Sequence, residues 1–247
     1  MKEILKNTYP ITASDVDCHE QCRLSALLGY LQNMATEHAI MLGLDGAGMI
    51  AEHNAVWMIA RLHLTLDRPI QYPDEITMHT WHRGVGKGPI IFRDFDILVD
   101  DERIGEATMS WILADVQDRK IIKPGTIPAL VNTQRPAVVK EIVPEKIKAP
   151  AEMVQGMVRP VRYSDTDING HMNNTKYADV ACDVIHYEKM SGKFISEVQI
   201  NYLHECWPGD ELLILRGEQD GTHYVRGTDA DGKVRFEVSM QLADCKR

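Results

Sequence analysis

The chain has 247 residues, 44% of them hydrophobic and 26% charged, with a formal net charge of -9 at pH 7. That length is long for one ordinary core and natural for two domains of roughly 120 residues each, and the composition is that of a folded globular protein. The acidic balance argues against a nucleic-acid partner, since phosphate binding needs a dominant positive field, and no run of 18 or more apolar residues marks a membrane span.

The start of the chain, Met1 to Asn7, carries no apolar segment followed by a small-residue cleavage site, so a cytoplasmic location is expected. From Leu24 the apolar positions Leu24, Leu27, Leu28, Leu31, Met34, Ala35, His38, Met41 and Leu42 advance in steps of three and four. That spacing predicts an amphipathic helix, with Gly43 where a C-terminal stop belongs. Strand-like runs follow over Val56–Leu66, Ile90–Val99 and Glu106–Val116, rich in Ile, Val, Leu and Trp and separated by turn residues. Between them, Gly84-Val85-Gly86-Lys87-Gly88 lacks the Lys-Ser/Thr of a phosphate loop and reads as a hairpin. Arg61, on a strand position, is expected to pair with a buried carboxylate.

Residues 124–150 carry Pro124, Pro128, Pro136, Pro144 and Pro150 and read as a connector laid over the surface rather than a packed element. Beyond it, Tyr177, Val180, Ala181, Val184 and Ile185 repeat the helical spacing, with Gly192 as the stop. Strand-like runs resume over Val198–Cys206, Glu211–Arg216, His223–Thr228 and Val234–Leu242. The five cysteines (Cys18, Cys22, Cys182, Cys206, Cys245) form no Cys-x-x-Cys pair, so neither a disulfide framework nor a zinc site is expected, and no metal or cofactor.

The two halves resemble each other. Ser14-Asp15-Val16-Asp17-Cys18 matches Ser164-Asp165-Thr166-Asp167-Ile168 at an offset of 150, and Asp74-Glu75 matches Asp210-Glu211 at an offset of 136. Two matches in the same order indicate an internal repeat, each half reading as strand, loop, helix and then several strands. This gives an α+β class with domains at 1–123 and 151–247 and a linker at 124–150.

Polar residues crowd into Arg162–Tyr177, just before the second helix: Asp167, Asn169, His171, Asn173 and Asn174, with Gly170 free to bring the backbone close to a ligand. From spacing alone, a well-capped helix start without catalysis accounts for this stretch as readily as an active site does. The run from Asp167 to Tyr177, Asp-x-Asn-x-His-x-Asn-Asn-x-x-Tyr, resembles the active-site motif of the acyl-ACP thioesterases of plants and bacteria. Glu205-Cys206 resembles the Glu-Cys pair that the family places on a strand. Trp57-Met58-Ile59-Ala60-Arg61, Trp81 and Trp111-Ile112-Leu113-Ala114-Asp115 add likeness in the first half. The resemblance implies two tandem hot-dog domains, each an antiparallel sheet wrapped around a long helix. The second would be catalytic, and the first would form the acyl-chain pocket.

It also implies hydrolysis of a fatty acyl-ACP thioester, releasing free fatty acid and ending chain elongation, with acyl carrier protein as partner and the enzyme a monomer or homodimer. On this expectation Glu205 is the general base that deprotonates water, Asn169 and His171 orient the water or the carbonyl, and Asp167 holds them in place. Cys206 is the rival nucleophile. Adjacent side chains on a regular strand point to opposite faces, so only one of Glu205 and Cys206 should face the site. Glu205 is preferred, because a buried carboxylate needs a functional or paired reason and a buried Cys does not. The offsets place His19, Gln21 and Pro69 opposite Asn169, His171 and Glu205, so a single site per chain is expected. Tyr163–Asp167 with Gly170-His171 also resembles the hydroxybenzoyl-CoA thioesterases, which keeps an acyl-CoA thioesterase open, and a non-catalytic acyl-binding module is the third reading. An acidic carrier needs a local basic surface, and Arg159, Arg162, Lys176, Lys189 and Lys193 are its candidates.

Overall fold

The computed structural model describes residues 4–131, 142–185 and 187–245. Contacts gather the chain into two units, one of Met1–Pro10, Tyr30–His63 and Asp74–Pro144, the other of Ile11–Gly29, Leu64–Pro73 and Glu145–Arg247. In chain order the elements of the first half are β1 (Leu5–Pro10), α1 (Leu24–Met41), α2 (Gly46–His53), β2 (Ala55–Leu66), β3 (Glu75–Val85), β4 (Ile91–Val99), β5 (Glu102–Asp115) and the short β6 (Ile121–Ile122). The strands run β1-β3-β4-β5-β2 across the sheet, with β1, β3, β4 and β5 paired antiparallel in succession. The expected helix is present, and Leu27, Leu28, Leu31, Met34 and His38 along it are each at most 2% exposed. Burying a leucine of this kind contributes about 1.5–3 kcal/mol. Gly43 ends the run at φ 69°, and Asp45 then caps α2 by accepting from the Ala47 and Gly48 N–H groups at 3.0 Å.

The second half supplies β7 (Val154–Pro160), α4 (Lys176–Asp183), α5 (Tyr187–Met190), β8 (Lys193–Tyr202), β9 (Glu211–Gln219), β10 (Thr222–Thr228) and β11 (Val234–Asp244), after a one-turn helix α3 (Pro128–Val131). Its strands run β7-β9-β10-β11-β8, the same permutation of chain order that the first half shows. The repeat read from two short matches is therefore a repeat of topology. Among the described residues no helix is long and apolar enough to cross a membrane.

Several expectations are corrected. The second-half helix is not long: α4 has eight residues and stops at Asp183, although Val184 and Ile185 beyond it stay buried. Periodicity followed burial there, not helical geometry. The connector is packed where it begins, since Ile127 (2% exposed) and Leu130 (0%) join Leu44, Met49, Ala55, Ile91 and Leu113 in one apolar cluster. Trp57 and Trp111 border that cluster in an edge-to-face pair at 6.2 Å, so these two family-like residues serve the core. Pro136 lies outside the described residues. Among the described residues Arg61 pairs with a main-chain oxygen and not with a carboxylate: its Nη1 donates to the Pro144 carbonyl at 3.1 Å. One largely buried ion pair on these strands is Arg83 with Asp94, where Nε donates to Oδ2 at 2.7 Å and Thr108 donates to Oδ1 at 2.9 Å. Arg93 beside it is buried and donates to His38 Nδ1 at 2.7 Å; burial pushes its pKa down to about 10 in spite of neighbouring Asp94.

A glycine controls the packing beneath the second unit's loops. Gly227 pairs with Phe236 across β10 and β11, and a Cβ there would meet the Phe236 ring at 2.0 Å. Phe236 is fully buried, with its ring 4.9 Å from that of Tyr177. Gly227→Ala is expected to cost about 1–3 kcal/mol through overpacking, read as a fall of several degrees in Tm by calorimetry. An unchanged Tm would show that Phe236 has room to move.

Candidate active site

The site loop begins with a short 3-10 turn, Tyr163–Asp165, built around one carboxylate. Asp165 is 3% exposed and accepts the Arg162 N–H at 2.7 Å and the Arg159 guanidinium through both terminal nitrogens, at 2.9 and 2.6 Å. Burial alone raises this carboxyl's pKa, but the hydrogen bonds from Arg159 and Arg162 outweigh it and hold the group below the usual range. The Asp165 carbonyl accepts the Asn173 N–H at 2.8 Å, so the loop returns to its own base before α4 begins.

Within that frame the chain turns tightly. Asp167 N–H donates to the His171 carbonyl and Gly170 N–H to the Asp167 carbonyl, both at 3.0 Å, while Asp167 Oδ1 accepts the Asn169 N–H at 2.8 Å. Gly170 sits at φ 79°, a left-handed conformation that glycine adopts without penalty. Met172 N–H then donates to the Cys206 carbonyl at 2.8 Å and ties this loop to the one that follows β8.

That tie brings His171 and Glu205 together. His171 Nε2 lies 3.8 Å from Glu205 Oε1, and His171 Nδ1 lies 3.9 Å from Asp167 Oδ1. The side chains of His171, Glu205 and Asp167 are 18%, 28% and 12% exposed, shielded but open to a reactant. Trp207 meets the His171 ring edge-on at 5.7 Å, a contact that the sequence pattern did not announce. Its proximity to Glu205-Cys206 was the available signal. Asn169 is exposed, and its backbone N–H is held by Asp167.

Glu205 and Cys206 do not lie on a strand, as the resemblance implied: β8 ends at Tyr202 and both residues are on the loop beyond it. They nevertheless face apart. Glu205 points to His171, whereas Cys206 is fully buried and hydrogen-bonded by Tyr177, whose ring packs on Tyr202 and Phe236. Burial pushes the Cys206 thiol up, and the Tyr177 hydrogen bond offsets this only in part. A thiol in that setting is a poor source of thiolate.

The first-half loop repeats the turn bond by bond, within the same unit. Asp17 N–H donates to the Gln21 carbonyl at 2.8 Å, Glu20 N–H to the Asp17 carbonyl at 3.1 Å, and Asp17 Oδ1 accepts the His19 N–H at 2.8 Å. Cys22 N–H donates to the Ile70 carbonyl at 2.8 Å, in the place of Met172 and Cys206, and Glu20 occupies the left-handed position at φ 60°. Gln21 and Pro69 stand where His171 and Glu205 stand in the second half. The turn is therefore scaffold, and the imidazole–carboxylate pair is an addition to it.

The basic residues near the site are largely engaged. Arg159 pairs with Asp165, Lys176 with Asp179 at 3.3 Å, Lys189 with Glu218, and Lys193 with Asp244 at 3.3 Å, while Arg162 is exposed.

The family model for the acyl-ACP thioesterase N-terminal domain matches residues 2–124, and that for the acyl-ACP thioesterase C-terminal domain matches residues 150–241. A chloroplastic dodecanoyl-[acyl-carrier-protein] hydrolase of Cinnamomum camphora is 27% identical over 89% of this chain. A chloroplastic palmitoyl-acyl carrier protein thioesterase of Gossypium hirsutum is 24% identical over 88% of it. The chain spans 60% and 55% of those two plant proteins. In fold, it is similar to the crystal structure of an acyl-ACP thioesterase from Bacteroides thetaiotaomicron, with a TM-score of 0.86, 24% identity and 98% of each chain covered. It is also similar to the 12:0-ACP thioesterase from Umbellularia californica, at 0.80 and 18%, with 99% of this chain and 98% of that one covered. The fold is thus the tandem hot-dog, α+β in each half.

The Arg159–Asp165 pair gives a pH-dependent expectation. Because folding depresses the Asp165 pKa, its contribution is present above the unfolded value of about 3.9 and is lost as pH falls through the folded value. Asp165→Asn is expected to lower stability by about 1–3 kcal/mol near neutral pH, with the gap closing on acidification. Urea unfolding across that range measures it, and a gap that persists undiminished in acid would exclude the ion pair as its source.

Proposed function

The chain belongs to the acyl-ACP thioesterase family, and from that premise we propose that it hydrolyses the thioester of a fatty acyl chain on acyl carrier protein, releasing the free fatty acid. The observation that carries this reading is the approach of His171 Nε2 to Glu205 Oε1 at 3.8 Å, across two loops joined by the Met172–Cys206 hydrogen bond. In substrate-free enzymes such catalytic contacts are long and tighten when the substrate arrives.

Glu205 is the general base in this scheme. Its carboxylate takes a proton from water as the water oxygen attacks the thioester carbonyl carbon, and the carbonyl π electrons move onto oxygen. His171 and Asn169 orient the water or the carbonyl and donate to the developing oxyanion. Collapse of the tetrahedral intermediate restores the carbonyl and expels the pantetheine thiolate, which takes up the proton that Glu205 had received. Asp167 holds the turn that presents His171 and Asn169. Cys206 has no part in bond-making, since its burial and raised pKa oppose thiolate formation.

Residues 1–123, which lack both reacting groups, are assigned to the acyl-chain pocket, and residues 151–247 to catalysis, with 124–150 between them. For the acidic carrier we assign Arg162, exposed at the start of the site loop, as a contact that raises local positive potential.

Thiol release from a panel of acyl-ACP and acyl-CoA substrates, run on wild type, His171→Ala, Glu205→Gln and Cys206→Ala, tests the reading. His171→Ala and Glu205→Gln are each expected to lower kcat by about 10²- to 10⁴-fold, and Cys206→Ala by no more than a few-fold. No release from any acyl-ACP sinks the proposal, and a preference for acyl-CoA reassigns the carrier. An inactive Cys206→Ala with a near-normal Glu205→Gln would return the nucleophile to Cys206.

A further inference from the structure

The loop that carries Glu205 has left the β8 ladder, so something other than strand pairing must fix it. Three contacts with one residue of β11 do so. Leu203 and His204 N–H groups both donate to the Arg235 carbonyl at 3.0 Å, and Arg235 Nη1 donates to the Glu205 carbonyl at 2.7 Å. The guanidinium is itself anchored, since its Nε donates to Asp229 Oδ2 at 3.0 Å. Asp229 in turn uses its other oxygen, Oδ1, to accept the Asp231 and Lys233 N–H groups at 3.1 and 2.9 Å, which locks the β10–β11 turn. Those backbone hydrogen bonds, with that turn as their source, also hold the Asp229 carboxyl below its usual range. Arg235 and Asp229 are largely covered, at 20% and 15% side-chain exposure.

We propose that Arg235, anchored by Asp229, is a positioning residue that holds the Glu205 carboxylate beside His171. It acts through the main chain from which the base projects, by the hydrogen bond to the Glu205 carbonyl. A misplacement of about 1 Å at a catalytic group can cost on the order of 100-fold in rate, so the loss expected on removing the clamp is one of turnover in the folded protein. Lysine carries its three N–H donors on a single nitrogen and lacks the planar fork whose separate nitrogens reach Asp229 and the Glu205 carbonyl at once.

This inference rests on Glu205 being the base, so its test has an arm that does not depend on catalysis. Arg235→Ala, Arg235→Lys and Asp229→Asn are compared with wild type by steady-state hydrolysis of acyl-ACP, per mole of folded protein, and by amide hydrogen exchange of residues 203–207. Arg235→Ala is expected to lower kcat by about 10- to 100-fold with KM within about twofold, and to speed exchange in that segment. Arg235→Lys should recover part of kcat, and Asp229→Asn should fall between Arg235→Ala and wild type. A folded Arg235→Ala with wild-type kcat, or a loss confined to KM or to the unfolded fraction, overturns the proposal. Unchanged exchange over 203–207 overturns it too, whatever the activity. If exchange quickens but Glu205→Gln hydrolyses normally, the clamp stands and the assignment of the base falls.

Discussion

The hydrogen bond from Met172 N–H to the Cys206 carbonyl, 2.8 Å long, joins the peptides next to the two groups that matter. His171 precedes its donor and Glu205 precedes its acceptor. Each side chain has only to take an ordinary rotamer for imidazole and carboxylate to meet. A backbone bond of this kind has a modest net worth, about 1 kcal/mol, but it sets position independently of which side chains flank it. That independence is visible in the first half, where Cys22 N–H and the Ile70 carbonyl make the same bond at the same length with Gln21 and Pro69 alongside. The fold builds the junction twice, flanked by His171 and Glu205 in one case and by Gln21 and Pro69 in the other.

Much of this was legible in the sequence, for a physical reason. The offset of 150 came from a short polar run, Ser-Asp-x-Asp, and its two aspartates make turn contacts that the two halves share. Asp15 and Asp165 each accept a main-chain N–H three residues earlier, from Thr12 and Arg162. Turn chemistry is local, so it leaves a local trace. The α1 pattern was equally plain, because one face of an 18-residue helix must be apolar to be buried.

What could not be read depended on contacts distant in sequence. The run from Val198 to Cys206 looks like one strand, yet the ladder stops at Tyr202 because Leu203 and His204 both turn their N–H groups to a single carbonyl, that of Arg235. Hydropathy has no means of registering such a capture. Val184 and Ile185 kept helical spacing because they are buried, although the helix had already ended at Asp183. Ile127 and Leu130 sit in a proline-rich stretch whose composition favours the surface, and only the apolar cluster around Leu113 explains their burial. Arg93 and Asp94 passed as strand residues, with nothing nearby in sequence to announce His38 or Arg83 as their partners. The Glu205 and Cys206 side chains diverge, but from a loop whose direction is set by main-chain bonds and not from the strand that was expected.

The aspartate common to both loops has a consequence for how function is measured. Asp17 performs the turn's mechanical duty with no imidazole–carboxylate pair to serve, while Asp167 performs the same duty with one at 3.9 and 3.8 Å. Any deficit produced by replacing Asp167 is consequently a composite of a loosened turn and a disturbed reaction. The same replacement at Asp17 reports the first component by itself, in the same polypeptide. The duplicated loop thus gives the molecule an internal reference, against which a chemical role can be separated from a mechanical one.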